Sequence, residues 1–70
     1  MKKSKFGENL KNLRKERNVT QKELANALDC SQSMLTRWES GECEPSAPYV
    51  IAAAEFFSVS ADFLLGIKEF

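Results

Sequence analysis

Apolar residues recur at helical spacing along the chain, and their pattern predicts a series of short helices. Phe6, Leu10 and Leu13 fall at i, i+4 and i+7, which is one face of a first helix over residues 6–18. Asn18 is a suitable stop for this helix, because asparagine tolerates a left-handed conformation. No stretch alternates apolar and polar residues convincingly as a half-buried strand does, so the pattern predicts an all-α protein.

The middle of the chain predicts two helices joined by a tight turn. Thr20 and Glu23 have the spacing of a capping box, which begins the second helix, and this helix should end near Leu28. Ser31 is a favourable N-cap for the third helix, and Gly41 suits the left-handed position that follows the end of a helix.

The fourth helix, predicted from an N-cap at Ser46 to about Phe57, is apolar on nearly every side. A helix with two apolar stripes needs two partners, although partly exposed aromatic residues are also normal on a small domain, and both interpretations stay open. The broad face comprises Ala47, Val50, Ile51, Ala54 and Phe57, and the second stripe comprises Tyr49, Ala52 and Phe56.

A short last helix completes the predicted compact five-helix domain. Ser60 is its N-cap, it runs over residues 61–65, and Gly66 ends it. The chain is thus expected to consist of a flexible basic arm over residues 1–5, the domain over residues 6–66 and an apolar tail over residues 67–70.

Charge is distributed unevenly along the sequence. The 70 residues carry no net charge, but residues 1–22 hold eight Lys or Arg and two Glu, which gives +6, and residues 23–70 balance this with −6. One surface could therefore present a positive field to an anionic partner.

Several classes of protein and site are not expected. Cys30 and Cys43 are too few for a disulfide scaffold, and without histidine they cannot complete a zinc site, so neither metal nor cofactor is predicted. No Gly-rich phosphate loop or paired nucleophile and base is present, so we expect no enzyme; oxidation of Cys43 as a redox switch is a minor alternative. No signal peptide or membrane-length apolar segment is found, and a cytoplasmic protein is expected.

The third helix combines an apolar side, Leu35 and Trp38, with a row of hydrogen-bonding side chains. An α-helix fits the major groove of B-DNA, where amide, hydroxyl and guanidinium groups can pair with base edges. The alternative is an ordinary solvated helix face. The candidates for base contacts are Gln32, Ser33, Met34 and Arg37, and those for phosphate contacts are Gln21, Thr36 and Ser40.

A set of motifs at characteristic spacing extends across most of the chain. They are Leu13-Arg14, Thr20-Gln21, Glu23-Leu24-Ala25, Leu28, Ser31-Gln32-Ser33, Leu35, Arg37-Trp38-Glu39, Gly41, Pro45-Ser46 and the closing SVSADFLLG. Together they resemble the helix-turn-helix domain of the phage repressor and Cro class, the XRE type, over residues 6–66.

The resemblance implies a lambda-repressor-like five-helix fold whose third helix enters the major groove. It assigns base-reading positions to Gln32, Ser33 and Arg37, and phosphate-contacting positions to Gln21 and Ser40. It also implies a structural salt bridge between Arg14 and Glu39.

Two features depart from the family pattern. Asp29 stands in the turn where the family usually has glycine, which would be strained if that position is left-handed. Glu42 and Glu44 occupy a loop where the family often has Lys or Arg, and acids there would weaken phosphate contacts.

The leading hypothesis is a sequence-specific, double-stranded-DNA-binding transcriptional regulator, expected to be a repressor and a homodimer on an inverted-repeat operator. The alternative is a protein-interaction module or antirepressor on the same fold with weak or no DNA binding, and with a partner bound through the fourth helix. In either case the predicted dimer or partner surface comprises Tyr49, Phe56, Ile67 and Phe70.

Overall fold

The computed structural model describes residues 4–67, which form five α-helices and, within that range, no strand. The predicted all-α fold is confirmed, while residues 1–3 of the predicted arm and Phe70 of the predicted tail lie outside the described residues. No helix in residues 4–67 is both long and apolar enough to cross a membrane. The helices are α1 (Phe6–Glu16), α2 (Gln21–Leu28), α3 (Gln32–Ser40), α4 (Ala47–Phe57) and α5 (Ala61–Leu65).

Local capping signals fix where most of the helices begin. The Thr20 hydroxyl accepts from the Glu23 amide and the Glu23 carboxylate accepts from the Thr20 amide, both at 3.0 Å, so the predicted capping box is present. Hydrogen bonding to the Thr20 backbone amide, and secondarily to the Thr20 side chain, holds the pKa of the Glu23 carboxyl below its usual value. The hydroxyls of Ser31 and Ser60 cap α3 and α5 as predicted, but Ser46 makes no side-chain bond to α4.

One core connects all five helices, and it includes contacts between aromatic rings. The Phe6 ring meets the Trp38 ring edge-on at 6.2 Å between centroids, and the partly buried Tyr49 ring lies 5.0 Å from that of Trp38. The buried apolar residues are Phe6, Leu10, Leu13, Leu24, Ala25, Leu28, Leu35, Trp38, Val50, Ala53, Ala54, Phe57 and Leu64.

The buried face of α4 differs from the predicted one. Ile51, predicted to be in the core, is 55% exposed, whereas Ala53, which belonged to neither predicted stripe, is fully buried. The inward positions are Val50, Ala53, Ala54 and Phe57, at i, i+3, i+4 and i+7. Because α4 is apolar nearly all round, its sequence does not distinguish this face from its neighbours.

Gly7 sets the distance between α1 and α3. A Cβ atom at Gly7 would lie 1.8 Å from the carbonyl oxygen of Trp38, so the two helices touch through their backbones at this point. No larger residue fits there without moving α3.

The contacts of the domain extend to the end of the predicted arm. The Lys5 amide donates to the Leu65 carbonyl at 3.3 Å, and the Ser4 amide donates to the Glu44 carboxylate at 3.2 Å. The Ser4 hydroxyl also contacts that carboxylate. The chain immediately before α1 therefore contacts both α5 and the loop that follows α3.

Candidate nucleic-acid interface

The turn between α2 and α3 places the two helices at a fixed angle. Asp29 ends α2 in the left-handed conformation, with φ 57° and ψ 46°, and the Cys30 amide donates to the Ala25 carbonyl at 3.0 Å. The expected strain at Asp29 is therefore present. Ser31 then caps α3, so three residues suffice to connect the two helices.

The predicted reading residues lie on the exposed part of α3. Leu35 and Trp38 face the core, and the base-contact candidates remain accessible to a ligand. Pairs four residues apart are neighbours on a helix surface, so Ser33 adjoins Arg37. The exposed candidates on α3 are Gln32, Ser33, Met34, Thr36, Arg37 and Ser40.

A buried ion pair joins α1 to the end of α3, as the resemblance implied. Arg14 Nε donates to Glu39 Oε2 at 2.7 Å and Nη2 donates to Oε1 at 3.0 Å, while Nη1 donates to the Val19 carbonyl at 3.0 Å. The side chains of Arg14 and Glu39 are only 11% and 4% exposed. Their hydrogen bond raises the pKa of Arg14, which keeps the guanidinium charged.

The phosphate-contact candidates already have partners within the protein. Gln21 Nε2 donates to Glu39 Oε1 at 3.1 Å, so the Gln21 side chain is hydrogen-bonded to the buried Arg14–Glu39 pair. The Thr36 hydroxyl donates to the Gln32 carbonyl at 2.9 Å and lies 3.4 Å from Gln21 Oε1. The Ser40 hydroxyl donates to the Arg37 carbonyl at 3.1 Å.

The acidic loop after α3 contacts both the reading helix and the start of the chain. Glu42 Oε2 lies 3.9 Å from Arg37 Nε, and both side chains are exposed. Glu44 instead accepts hydrogen bonds from Ser4. The two acids of this loop thus have different neighbours.

Comparison with known proteins decides the family. A family model for the helix-turn-helix matches residues 10–64, most of the chain. This chain belongs to the helix-turn-helix family. The P22 c2 repressor, solved in complex with synthetic operator 9T, superposes with a TM-score of 0.81 at 28% identity, covering 86% of this chain and 91% of that one. The predicted likeness to phage repressors is thereby confirmed.

Two further helix-turn-helix relatives are longer than this chain. A transcriptional regulator from Listeria innocua superposes with a TM-score of 0.86 at 31% identity, covering 93% of this chain and 61% of that one. The HTH-type transcriptional activator BcrR of Enterococcus faecalis is 39% identical over 64 residues, which span 91% of this chain. The chain corresponds to 31% of the length of BcrR, so the likeness concerns one domain of that protein.

The predicted partner surface is only partly available on this helix-turn-helix domain. Phe56 and Ile67 are 43% and 69% exposed, but Tyr49 is half-buried against Trp38 and belongs to the edge of the core. Phe70 lies outside the described residues. Ile51, which was assigned to the core, is an additional exposed apolar residue.

The two cysteines are unpaired and have different surroundings. Burial and the neighbouring Asp29 carboxylate raise the pKa of the Cys30 thiol, which disfavours its reactive thiolate form. Cys43 is exposed. Among residues 4–67, no group of three or more His, Cys, Asp or Glu is arranged to hold a metal ion.

Sequence reasoning did not identify two residues that orient the helices. Asn9 on α1 donates from its amide to the Phe63 and Leu64 carbonyls, both at 3.1 Å, which ties α1 to the end of α5. Gly7 allows the backbone contact between α1 and α3. Neither has a local sequence signal, because each depends on a partner distant in sequence.

Proposed function

We propose that this chain is a sequence-specific, double-stranded-DNA-binding domain of a transcriptional regulator, which reads the major groove with α3. The observation that carries the proposal is an exposed row of polar side chains on a helix held in place by the buried Arg14–Glu39 pair. A fixed reading helix is required because base contacts depend on directed hydrogen bonds. The likeness to a repressor solved with its operator supports this proposal.

Each side chain on the reading face has a chemistry that suits one type of base edge. Arg37 can donate two hydrogen bonds to O6 and N7 of guanine, and the Gln32 amide can pair bidentately with adenine. Ser33 can donate or accept, and Met34, at 36% exposure, can contact a thymine methyl group.

Phosphate contacts would position α3 in the groove. Gln21 is the first residue of α2, where backbone amides lack helical partners and attract an anion. Because its side chain also contacts Glu39, a phosphate bound there would be linked to the ion pair that orients α3. Thr36 and Ser40 hydroxyls can exchange their internal carbonyl acceptors for phosphate oxygens.

We assign the regulator as a repressor that acts as a homodimer on an inverted repeat in the cytoplasm. Occupation of an operator by the domain alone can exclude other proteins from that DNA. A reporter gene with the selected operator placed across its promoter should lose expression when the chain is produced. Increased expression would instead indicate an activator.

Selection of duplexes from a random library, at about 50 mM salt to favour phosphate contacts, tests the proposed DNA binding. The expected result is one motif, repeated in inverted orientation. Recovery of no motif by the folded protein would contradict the proposal.

Arg37 provides the sharpest mutational test of the reading helix. Arg37→Ala should weaken binding to the selected motif by roughly 1–3 kcal/mol and relax the preference at one base pair. Arg37→Lys is the matched control, because it keeps the positive charge but lacks the planar guanidinium that donates two parallel hydrogen bonds. This variant should lose the base preference and retain the attraction to phosphate. Unchanged affinity and preference in Arg37→Ala would contradict the assignment.

Exposed apolar side chains favour a second candidate function, a partner-binding module or antirepressor. Ile51, Phe56 and Ile67 are large, exposed and apolar. If this function operates, Phe56→Glu should abolish capture of a protein partner and leave binding of the chain to a single DNA half-site unchanged. Phe56 is a better site for this test than Tyr49, because Tyr49 packs against Trp38 and its replacement would disturb the core.

A further inference from the structure

Glu42 lies beside Arg37, the side chain to which we assign guanine recognition. Their nearest charged atoms, Arg37 Nε and Glu42 Oε2, are 3.9 Å apart, and the two side chains are 59% and 69% exposed. This distance is too long for a hydrogen bond, but it is short enough for the two charges to interact. The Arg37 guanidinium therefore has a negative neighbour before any DNA is bound.

The backbone fixes the starting point of the Glu42 side chain relative to Arg37. Gly41 ends α3 with a φ of 81°. The Arg37 carbonyl then accepts from the amides of Glu42, at 2.9 Å, and Cys43, at 3.4 Å. Because the loop turns back onto the residue that carries the guanidinium, the proximity of Glu42 is built into the end of the helix.

We propose that Glu42 is a specificity-determining residue, which reduces binding to random DNA by partly neutralising the Arg37 guanidinium. This inference rests on the proposed function, in which Arg37 donates to a guanine. A phosphate carries a full negative charge and attracts Arg37 by Coulomb forces, which an adjacent carboxylate weakens directly. A guanine is neutral and is recognised by two directed hydrogen bonds, so the carboxylate weakens this contact less.

The effect differs between correct and incorrect DNA sequences. On random DNA, Arg37 has phosphates as its main acceptors, and Glu42 opposes each such contact. On the operator, Arg37 is engaged with the base edge. Glu42 thereby increases the ratio of operator to random affinity while lowering the total attraction to DNA.

Glu44 offers a matched control within the same loop. Glu42→Gln and Glu44→Gln each remove one negative charge and keep a side chain of the same length. Only Glu42 pairs with Arg37, whereas the Glu44 carboxylate accepts from Ser4. A general effect of net charge would be the same in both variants, and an effect through Arg37 would be confined to Glu42→Gln.

The experiment measures affinities for the selected operator and for a random duplex of equal length over a range of salt concentrations. Glu42→Gln should tighten random binding by about two- to fivefold, as expected for an exposed ion pair, and should reduce the operator-to-random ratio by a similar factor. The log–log salt slope of random binding should steepen by about 0.9, the value for one additional phosphate contact. Glu44→Gln should leave the ratio unchanged, and in an Arg37→Ala background Glu42→Gln should also leave it unchanged.

Two results would overturn the inference while leaving the proposed function intact. One is an unchanged affinity ratio in Glu42→Gln, and the other is an equal fall of the ratio in Glu44→Gln. Failure of the wild-type protein to select any motif would instead contradict the proposed function, and with it the role of Arg37 on which the inference depends.

Discussion

Arg14 and Glu39 form an ion pair that is bidentate and almost completely buried. Removal of one member would leave the other charge in the interior without an opposite charge. The Arg14 guanidinium also donates to the Val19 carbonyl, which lies in the segment between α1 and α2, just before the N-cap of α2. The pair thus connects the first helix, the start of the second and the end of the third.

Arg14→Ala should lower the free energy of unfolding by about 3 kcal/mol, because Glu39 would be left as an unpaired buried charge. Urea denaturation followed by circular dichroism measures this change. Arg37→Ala removes an equally charged but exposed side chain, and it should shift the free energy by no more than about 0.5 kcal/mol. Equal denaturation midpoints for the two variants would contradict a stabilising role of the pair.

Asp29 adopts a left-handed conformation in which a Cβ atom is strained. Asp29→Gly should raise the free energy of unfolding by about 1 kcal/mol, because it relieves the left-handed strain. The greater conformational entropy of glycine in the unfolded chain reduces this gain. Asn18 has nearly the same φ, 59° against 57°, and asparagine tolerates this region better, so Asn18→Gly should stabilise the protein less. Thermal denaturation of both variants would show the order, and a lower melting temperature for Asp29→Gly would contradict the strain.

At the scale of whole helices, the orientation of α3 depends on its contact with α1. Gly7 lies where the two backbones meet, and the Phe6 and Trp38 rings pack beside that point. Since Trp38 and the reading side chains belong to the same short helix, any displacement at Trp38 also moves the reading face.

Gly7→Ala should destabilise the domain by about 3 kcal/mol, because the new methyl group would overlap a backbone oxygen that no rotamer change can move. Gly41→Ala is the control for adding a methyl group in the absence of overlap. Nothing lies within 4 Å of its Cβ position, so only the left-handed strain of about 1–2 kcal/mol applies. Denaturation midpoints compare the two, and a smaller loss in Gly7→Ala would disprove the close contact.

The starts of α2, α3 and α5 could be predicted because capping is local, whereas α1, predicted over residues 6–18, ends at Glu16. Thr20 with Glu23, Ser31 and Ser60 all act within the next three residues, and each cap is present. The orientation of α4 could not be predicted. Because the helix is apolar on almost every side, its sequence does not indicate that Ile51 is exposed and Ala53 is buried.

The candidate site was predictable to the same extent. The exposed positions of α3 follow from the spacing of Leu35 and Trp38, although Glu39 on the same helix is also largely buried. The hydrogen bond between Gln21 and Glu39 and the approach of Glu42 to Arg37 were not predictable, because both depend on how separate elements meet. The spacing of apolar residues indicates which side chains face outward. Tertiary contacts determine which of those side chains already interact with another part of the protein.

For the molecule as a whole, the exposed lysines of the described residues belong to the first part of the fold. Arg14 is neutralised by Glu39, and Arg37 lies beside Glu42, so the reading helix contributes little positive field. The exposed lysines of the described residues lie just before α1 or on α1 and α2, so these parts of the chain would supply most of the attraction to phosphates. They are Lys5, Lys11, Lys15 and Lys22.

The size of the domain determines how much operator one copy can read. Its longest extent is 28 Å, whereas successive major grooves on one side of B-DNA are about 34 Å apart. In the proposed mode of binding a single α3 therefore contacts one half-site, and the proposed inverted repeat requires two copies. The exposed side chains of Phe56 and Ile67 are the candidates for the contact between them.

Insertion of about five base pairs between the half-sites, half a helical turn, should reduce affinity to that of an isolated half-site. The inserted half-turn places the second half-site on the opposite side of the duplex, where a partner joined to the first copy cannot reach it. Ten base pairs added outside the half-sites, about one full turn, are the control for DNA length, because they change neither the side nor the distance between the half-sites. Gel-shift titrations of the three duplexes measure the effect, and equal affinity for all of them would show that two copies bind without contact.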